Sequence, residues 1–283
     1  MMHPALLCLL VLLLPLTARA TTVQLEVRPG ISATAEYAAG ASDKPAVLLL
    51  HGFLQTRDFA TVATLARGLR DAGYSVLAPT LSLGIPNREQ SLACEAVHTH
   101  SLQDDLTEIA RWVTWLKSQN HRSIVLVGHS FGSLQLLAYL SDRPDPAVKG
   151  YIGASLVEAQ IPAAERSRLV ARLQNDARLR PKTLVSARLS YCNTYPSTPA
   201  ALLSYVRWDQ SQTLAALNHV PVEHALIMGE ADRMLDKNWL VALRHLGKRM
   251  IVVKGANHFM DGEHEFDLLD HTLRFLNTFR TNG

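Results

Sequence analysis

Cysteine is scarce in this 283-residue chain: only Cys8, Cys94 and Cys192 occur. That is too few for a disulfide framework standing in for a core. No run of lysine or arginine appears, and 28 basic residues face 25 acidic ones. The sequence therefore marks neither nucleic acid nor an anionic membrane as a partner. Beyond residue 20 no apolar stretch approaches the length of a bilayer span. Internal repeats and low-complexity segments are absent. Cys94, His98 and His100 lie close together, but no second pair of ligands matches them, so no metal and no cofactor is expected.

The first twenty residues differ from the rest. Ala5 to Leu16 is almost wholly apolar, interrupted mainly by Pro15, and Ala18-Arg19-Ala20 offers an A-x-A cleavage site. Residues 1–20 read as a signal peptide and Thr21 as the mature start. Against this, Met1-Met2-His3-Pro4 carries no Lys or Arg; a retained anchoring segment is the other reading. The expected location is outside the cytoplasm, the periplasm in preference to full secretion. Cleavage leaves Cys94 and Cys192, which an oxidising compartment invites to pair; two unrelated thiols is the alternative. A bond there would staple the loop after Ala78 to a segment about a hundred residues later and restrict its motion.

With 48% hydrophobic residues over its full length the chain can fill one large core. Val23 to Val27 and Ile31 to Tyr37 read as an antiparallel pair turned at Pro29-Gly30. Ala46 to Leu50 is continuously apolar, as expected of a strand buried on both faces. A helix from Phe59 to Asp71, a strand over Tyr74 to Ala78 and a polar loop from Pro79 to Thr99 follow. Ser101 reads as the N-cap of the next helix, with Asp104 and Asp105 as acidic first-turn residues. Ser123 to Val127 and Val148 to Ala154 are further strands. The alternation then breaks. Residues 156–220 read as a helical insert: Ala163 to Asp176, a Pro/Ser/Thr-rich loop around Pro196, and Ala200 to Leu217. Strands at Glu223 to Met228 and Arg249 to Val253, with helices over Lys237 to Leu246 and Glu265 to Phe279, complete the chain. The expected class is α/β: a mostly parallel central sheet with helices on both faces, built from 21–155 and 221–283.

Gly128-His129-Ser130-Phe131-Gly132 joins a strand to a helix, the setting of a nucleophile elbow. The other chemically suggestive residues also follow strands. His51-Gly52-Phe53 follows the strand over 46–50, Gly229-Glu230-Ala231-Asp232 a later one, and Gly255-Ala256-Asn257-His258 the last. These four motifs, in this order, resemble the α/β-hydrolase-fold serine hydrolases. The likeness spans residues 46 to 258, and the insert resembles the caps of monoacylglycerol-lipase-like esterases.

The resemblance implies a carboxylic-ester hydrolase with an acyl-enzyme. Ser130 is the nucleophile, His258 its base, Asp232 the orienting acid, and the N–H groups of Phe53 and Phe131 the oxyanion donors. Glu230 and Asp236 are the competing acids. Asp261, Glu263 and Asp267 read as solvated helix-start charges, His51 as a structural hydrogen-bonding residue, and His129 as a group packing beside the elbow. Thioester hydrolysis, amide hydrolysis and acyl transfer use the same groups. The expected partner is a small-molecule or lipid-like acyl substrate; Leu202, Leu203, Tyr205, Val206 and Trp208 either line its acyl pocket or pack the cap helices. A non-catalytic binding protein on the same fold is the competing class.

Overall fold

The computed structural model describes residues 20–247 and 249–279. Apart from Ala20, the expected signal peptide lies outside them. Strands β1 (Thr21–Arg28) and β2 (Ile31–Ala38) form the antiparallel opening pair, and β3 (Ala46–Leu50) is buried throughout. Helix α1 (Ala60–Asp71) leads through Gly73, whose positive φ of 79° suits glycine, into β4 (Val76–Pro79). Ser101 caps α2 (Leu102–Ser118) in a reciprocal box with Asp104. Then come β5 (Ile124–His129), α3 (Phe131–Asp142) and β6 (Val148–Ala154). After the insert, β9 (Glu223–Gly229), α7 (Lys237–His245), β10 (Met250–Val253) and α8 (His264–Leu276) close the chain.

Eight strands form one sheet in the order β1-β2-β4-β3-β5-β6-β9-β10. The pairs β1/β2 and β2/β4 are antiparallel and the rest parallel, as the apolar runs predict. Alternation along each strand divides the core between two faces. Val47, Leu49, Val125 and Val127 pack with α1 and α8, whereas Leu48, Leu50 and Leu126 pack with α2 and α3. Register then decides which loops meet. Leu50 pairs with Gly128, so the loop after β3 lies beside the elbow after β5. Val253 pairs with Gly229, so the loops after β9 and β10 are neighbours.

The insert departs from the expected helices and loops in two places. Its first helix, α4 (Ala163–Leu179), is as expected, but the Pro/Ser/Thr-rich passage pairs as an antiparallel hairpin of β7 (Val185–Leu189) and β8 (Cys192–Ser197). The stretch expected as one helix is two, α5 (Pro199–Val206) and α6 (Gln210–His219). Asp209 separates them because its carboxylate accepts the Gln212 N–H at 2.8 Å and starts a new helix.

Cys94 and Cys192 form a disulfide across a sequence separation of 98. The same contact is tied by His98 N–H donating to the Pro196 carbonyl at 2.9 Å and by His98 stacking on Tyr195 at 4.2 Å. The loop after β4 is thus fixed to β8. Closing so long a loop removes unfolded-state entropy worth about 4 kcal/mol. The Cys94→Ser/Cys192→Ser double variant is expected to melt ~5–10 °C below the parent in differential scanning calorimetry.

Candidate functional site

Ser130 sits at φ 55°, ψ −124° between β5 and α3. A side chain there is strained, and the surroundings hold it. Its N–H donates to the Ala154 carbonyl at 2.8 Å. The Ser133 hydroxyl donates to the carbonyls of Gly128 and Ala154 at 2.7 and 3.0 Å. The flanking glycines are required by close approach: a Cβ on Gly128 would lie 2.6 Å from Ser133 Cα, and one on Gly132 would strike the His51 carbonyl.

His258 follows β10 and is 3% exposed. Its Nδ1 lies 2.7 Å from Asp232 Oδ2 and its Nε2 2.8 Å from Ser130 Oγ. A carboxylate only accepts, so Nδ1 carries the proton and donates, and Nε2 accepts from the serine hydroxyl. Asp232 is itself fixed by the Met234 N–H, which donates to Oδ1 at 2.9 Å. Among the competing acids, Glu230 accepts from the Gly255 N–H and Asp236 caps α7. Neither faces His258 in these bonds. Asp261 accepts from the Asn257 amide at 2.7 Å, and Asp267 pairs with His264 at 3.0 Å.

Phe53 lies in a turn closed by the Gln55 N–H donating to the Gly52 carbonyl at 3.2 Å, with Leu54 at a positive φ of 57°. Phe131 opens α3, so its N–H lies among those without an intrahelical acceptor. The two rings meet at 4.7 Å. The Phe53 carbonyl accepts from the Tyr191 hydroxyl at 3.1 Å, which ties this turn to the insert.

Two buried imidazoles brace the site. His51 accepts the Leu81 N–H on Nε2 at 3.0 Å and donates from Nδ1 to the Gly52 carbonyl at 2.8 Å. Burial, with Arg88 nearby, lowers it to about 3. His129 donates from Nε2 to the His258 carbonyl at 3.0 Å, and burial lowers it to about 4. Both are neutral at neutral pH and add no positive charge beside His258.

Sequence reasoning missed the polar layer beneath. Arg88, buried, donates to the carbonyls of Leu81 at 2.8 Å, Gln90 at 2.7 Å, Gln55 at 2.7 Å and Leu54 at 3.4 Å. It clamps the turn that carries Phe53 to the loop after β4. Asp105 is a first-turn acid of α2, as expected, but it does not face solvent. It is buried and accepts from the Tyr205 hydroxyl at 2.5 Å and from the Gln135 amide at 2.7 Å. Burial raises it to about 8. Glu108, raised to about 7 by burial, accepts from the Ser82 N–H and hydroxyl. The only sequence signal for these acids was their helical spacing, which helix-start acids share.

Leu202, Leu203 and Val206 are buried in the core and Trp208 packs against it, so these pack the insert; Tyr205, also buried, lines a small cavity with Phe53 and Phe131. A cavity of about 940 Å³ lies instead among Gln160, Arg188, Tyr191, Asp209, Met234 and Asn238. Neither Ser130, Asp232 nor His258 lines it. Tyr191 and Met234 connect it to the site through their bonds to Phe53 and Asp232. Cys94 is committed to Cys192, and no His/Cys/Asp/Glu group among the described residues is arranged to hold a metal ion.

Asp105 and Glu108 hold protons in the folded chain that the unfolded chain releases in the ordinary carboxylate range. Their contribution to stability is therefore full below that range and is lost as pH rises through about 7 to 8. The Asp105→Asn variant is expected to show a shallower fall of Tm between about pH 5 and about pH 8 than the parent.

Comparison with known proteins places this geometry in a group. No curated protein matches the sequence. Among solved structures, Est1E from Butyrivibrio proteoclasticus is similar with a TM-score of 0.64 at 17% identity, covering 91% of this chain and 98% of its own. DcsB, in complex with its substrate analogue, gives 0.71 at 16%, with 93% and 100% covered. The monoacylglycerol lipase of Paleococcus ferrophilus gives 0.63 at 17%, with 92% and 99% covered. A sequence profile described as the alpha/beta hydrolase family matches residues 47–269, most of the chain, and the protein belongs to that family.

Proposed function

We propose that the protein is an exported serine hydrolase that cleaves carboxylic esters through an acyl-enzyme. One observation carries the reading: the continuous hydrogen-bonded row from Ser130 Oγ through His258 to Asp232, at 2.8 and 2.7 Å, with the serine held at a strained φ. A neutral hydroxyl is a weak nucleophile and needs a base within reach. In the proposed first step Ser130 Oγ bonds to the ester carbonyl carbon while its proton passes to His258 Nε2. The carbonyl electron pair moves to oxygen, where the N–H groups of Phe53 and Phe131 receive the charge. Collapse breaks the bond to the alcohol oxygen, which takes the proton from His258. Water, deprotonated by the same nitrogen, then bonds to the acyl carbon; the bond to Ser130 Oγ breaks, His258 returns the proton to that oxygen, and the acid leaves. Asp232 keeps the imidazole in the tautomer whose Nε2 can accept.

Thioester and amide hydrolysis use the same groups, and proteins of similar fold include both a monoacylglycerol lipase and a thioesterase domain. The substrate is a small or lipid-like acyl compound, part of it seated in the cavity of about 940 Å³ beside Tyr191 and Met234. Export, with the periplasm ahead of secretion, is supported by the A-x-A leader pattern. The disulfide also supports it, since such bonds persist in oxidising compartments.

The test is hydrolysis of p-nitrophenyl esters of increasing acyl length by the chain from Thr21. Ser130→Ala is expected to lower kcat by ~10⁴-fold or more, and Asp232→Asn by ~10³–10⁴-fold, with thermal unfolding little changed. Full activity in Ser130→Ala would refute the reading.

A further inference from the structure

The insert concentrates positive charge that the sequence disperses. Between residues 163 and 190 stand seven basic residues, namely Arg166, Arg168, Arg172, Arg178, Arg180, Lys182 and Arg188. Only Glu165 and Asp176 oppose them, so this segment carries +5 in a chain whose total is +3. No run of cations exists, but folding brings α4 alongside β7, where Arg172 donates to the Ser186 carbonyl at 3.4 Å. Of these seven, only Arg166 and Arg180 form an ion pair among the described residues, with Asp209 and Asp176 respectively. Arg168, Arg172 and Arg188 line an open groove of about 360 Å³ together with Ile161, Leu169, Ala187 and one acid, Glu165.

The turn joining α4 to β7 adds a second feature. Leu179 is 63% exposed and Leu184 50% exposed, five residues apart. Arg178, Arg180 and Lys182 are interleaved with them. Exposed leucines are costly in water, and here they share a surface with cations that repel one another. An anionic lipid surface relieves both costs. Its headgroups neutralise the cations, and the leucines enter the headgroup–acyl boundary.

We propose that the α4–β7 unit docks the protein on an anionic phospholipid surface. Charge complementarity selects this occupant over a neutral membrane, and the paired exposed leucines select it over a purely polyanionic partner. Docking is read without turnover and stands apart from the esterase reading.

The experiment is co-sedimentation of the chain from Thr21, which contains every strand and helix described, with vesicles. One set is phosphatidylcholine alone and the other contains phosphatidylglycerol, both at about 150 mM salt. Binding to the anionic vesicles, and not to the neutral ones, is expected. Each Arg near the surface is worth about fivefold in partitioning. The triple variant Arg168→Gln/Arg172→Gln/Arg178→Gln should therefore bind more than tenfold more weakly with its unfolding transition retained. The pair Leu179→Ser/Leu184→Ser should weaken binding at unchanged net charge. Absence of binding to anionic vesicles overturns the proposal, as does equal binding by the triple variant. Equal or tighter binding to duplex DNA or to polyglutamate also overturns it, by showing a cationic surface without lipid preference.

Discussion

The approach of α3 to β3 is the constraint on which the candidate site depends. The first turn of α3 comes so near the end of β3 that a Cβ on Gly132 would collide with the His51 carbonyl oxygen. That proximity follows from the parallel register pairing Leu50 with Gly128. It forces the chain into a tight turn, with Ser130 at positive φ as the residue at its tip. It also brings Phe53 and Phe131, each next to a strand end, into ring contact at 4.7 Å. The proposed nucleophile and its two proposed oxyanion donors thus have one geometric cause. The acid and the histidine have another, the neighbouring ends of β9 and β10.

Holding such a turn requires support that does not disturb the electrostatics around His258. The support is mostly neutral. His51 and His129 are kept uncharged by burial; His51 engages backbone groups through both ring nitrogens and His129 through Nε2. Asp105 and Glu108 are raised into the neutral range by the same desolvation. The buried cation Arg88, lowered to about 10 by burial, is surrounded by carbonyl oxygens. The insert takes part through Tyr205, which donates to Asp105, and Tyr191, which donates to the Phe53 carbonyl. The Cys94–Cys192 bond lies next to Tyr191 in sequence, so the same insert that bounds the large cavity also steadies the turn carrying Phe53.

The sheet was legible because its strands advertise their burial. Runs such as Ala46 to Leu50 and Ile124 to Val127 are apolar at every position, which only a strand covered on both faces requires. The Ser130, Asp232 and His258 positions were legible because each follows such a strand. The β7–β8 hairpin was not: its exposed positions are polar and Pro196 lies within it, so neither strand shows an apolar run. Asp105 looked like a helix-start acid because its burial is decided by Gln135 and by Tyr205, a hundred residues later. The cations of α4 and β7 looked dispersed because their convergence is a property of the fold.

The most direct test of the central claim, that Ser130 is activated by its row of hydrogen bonds, is reaction of the chain from Thr21 with a fluorophosphonate, read by peptide mass mapping. One phosphonyl group per chain is expected, on Ser130, formed at a rate that falls at least ~10²-fold in His258→Ala. An unlabelled Ser130, or labelling at the same rate without His258, would contradict that claim.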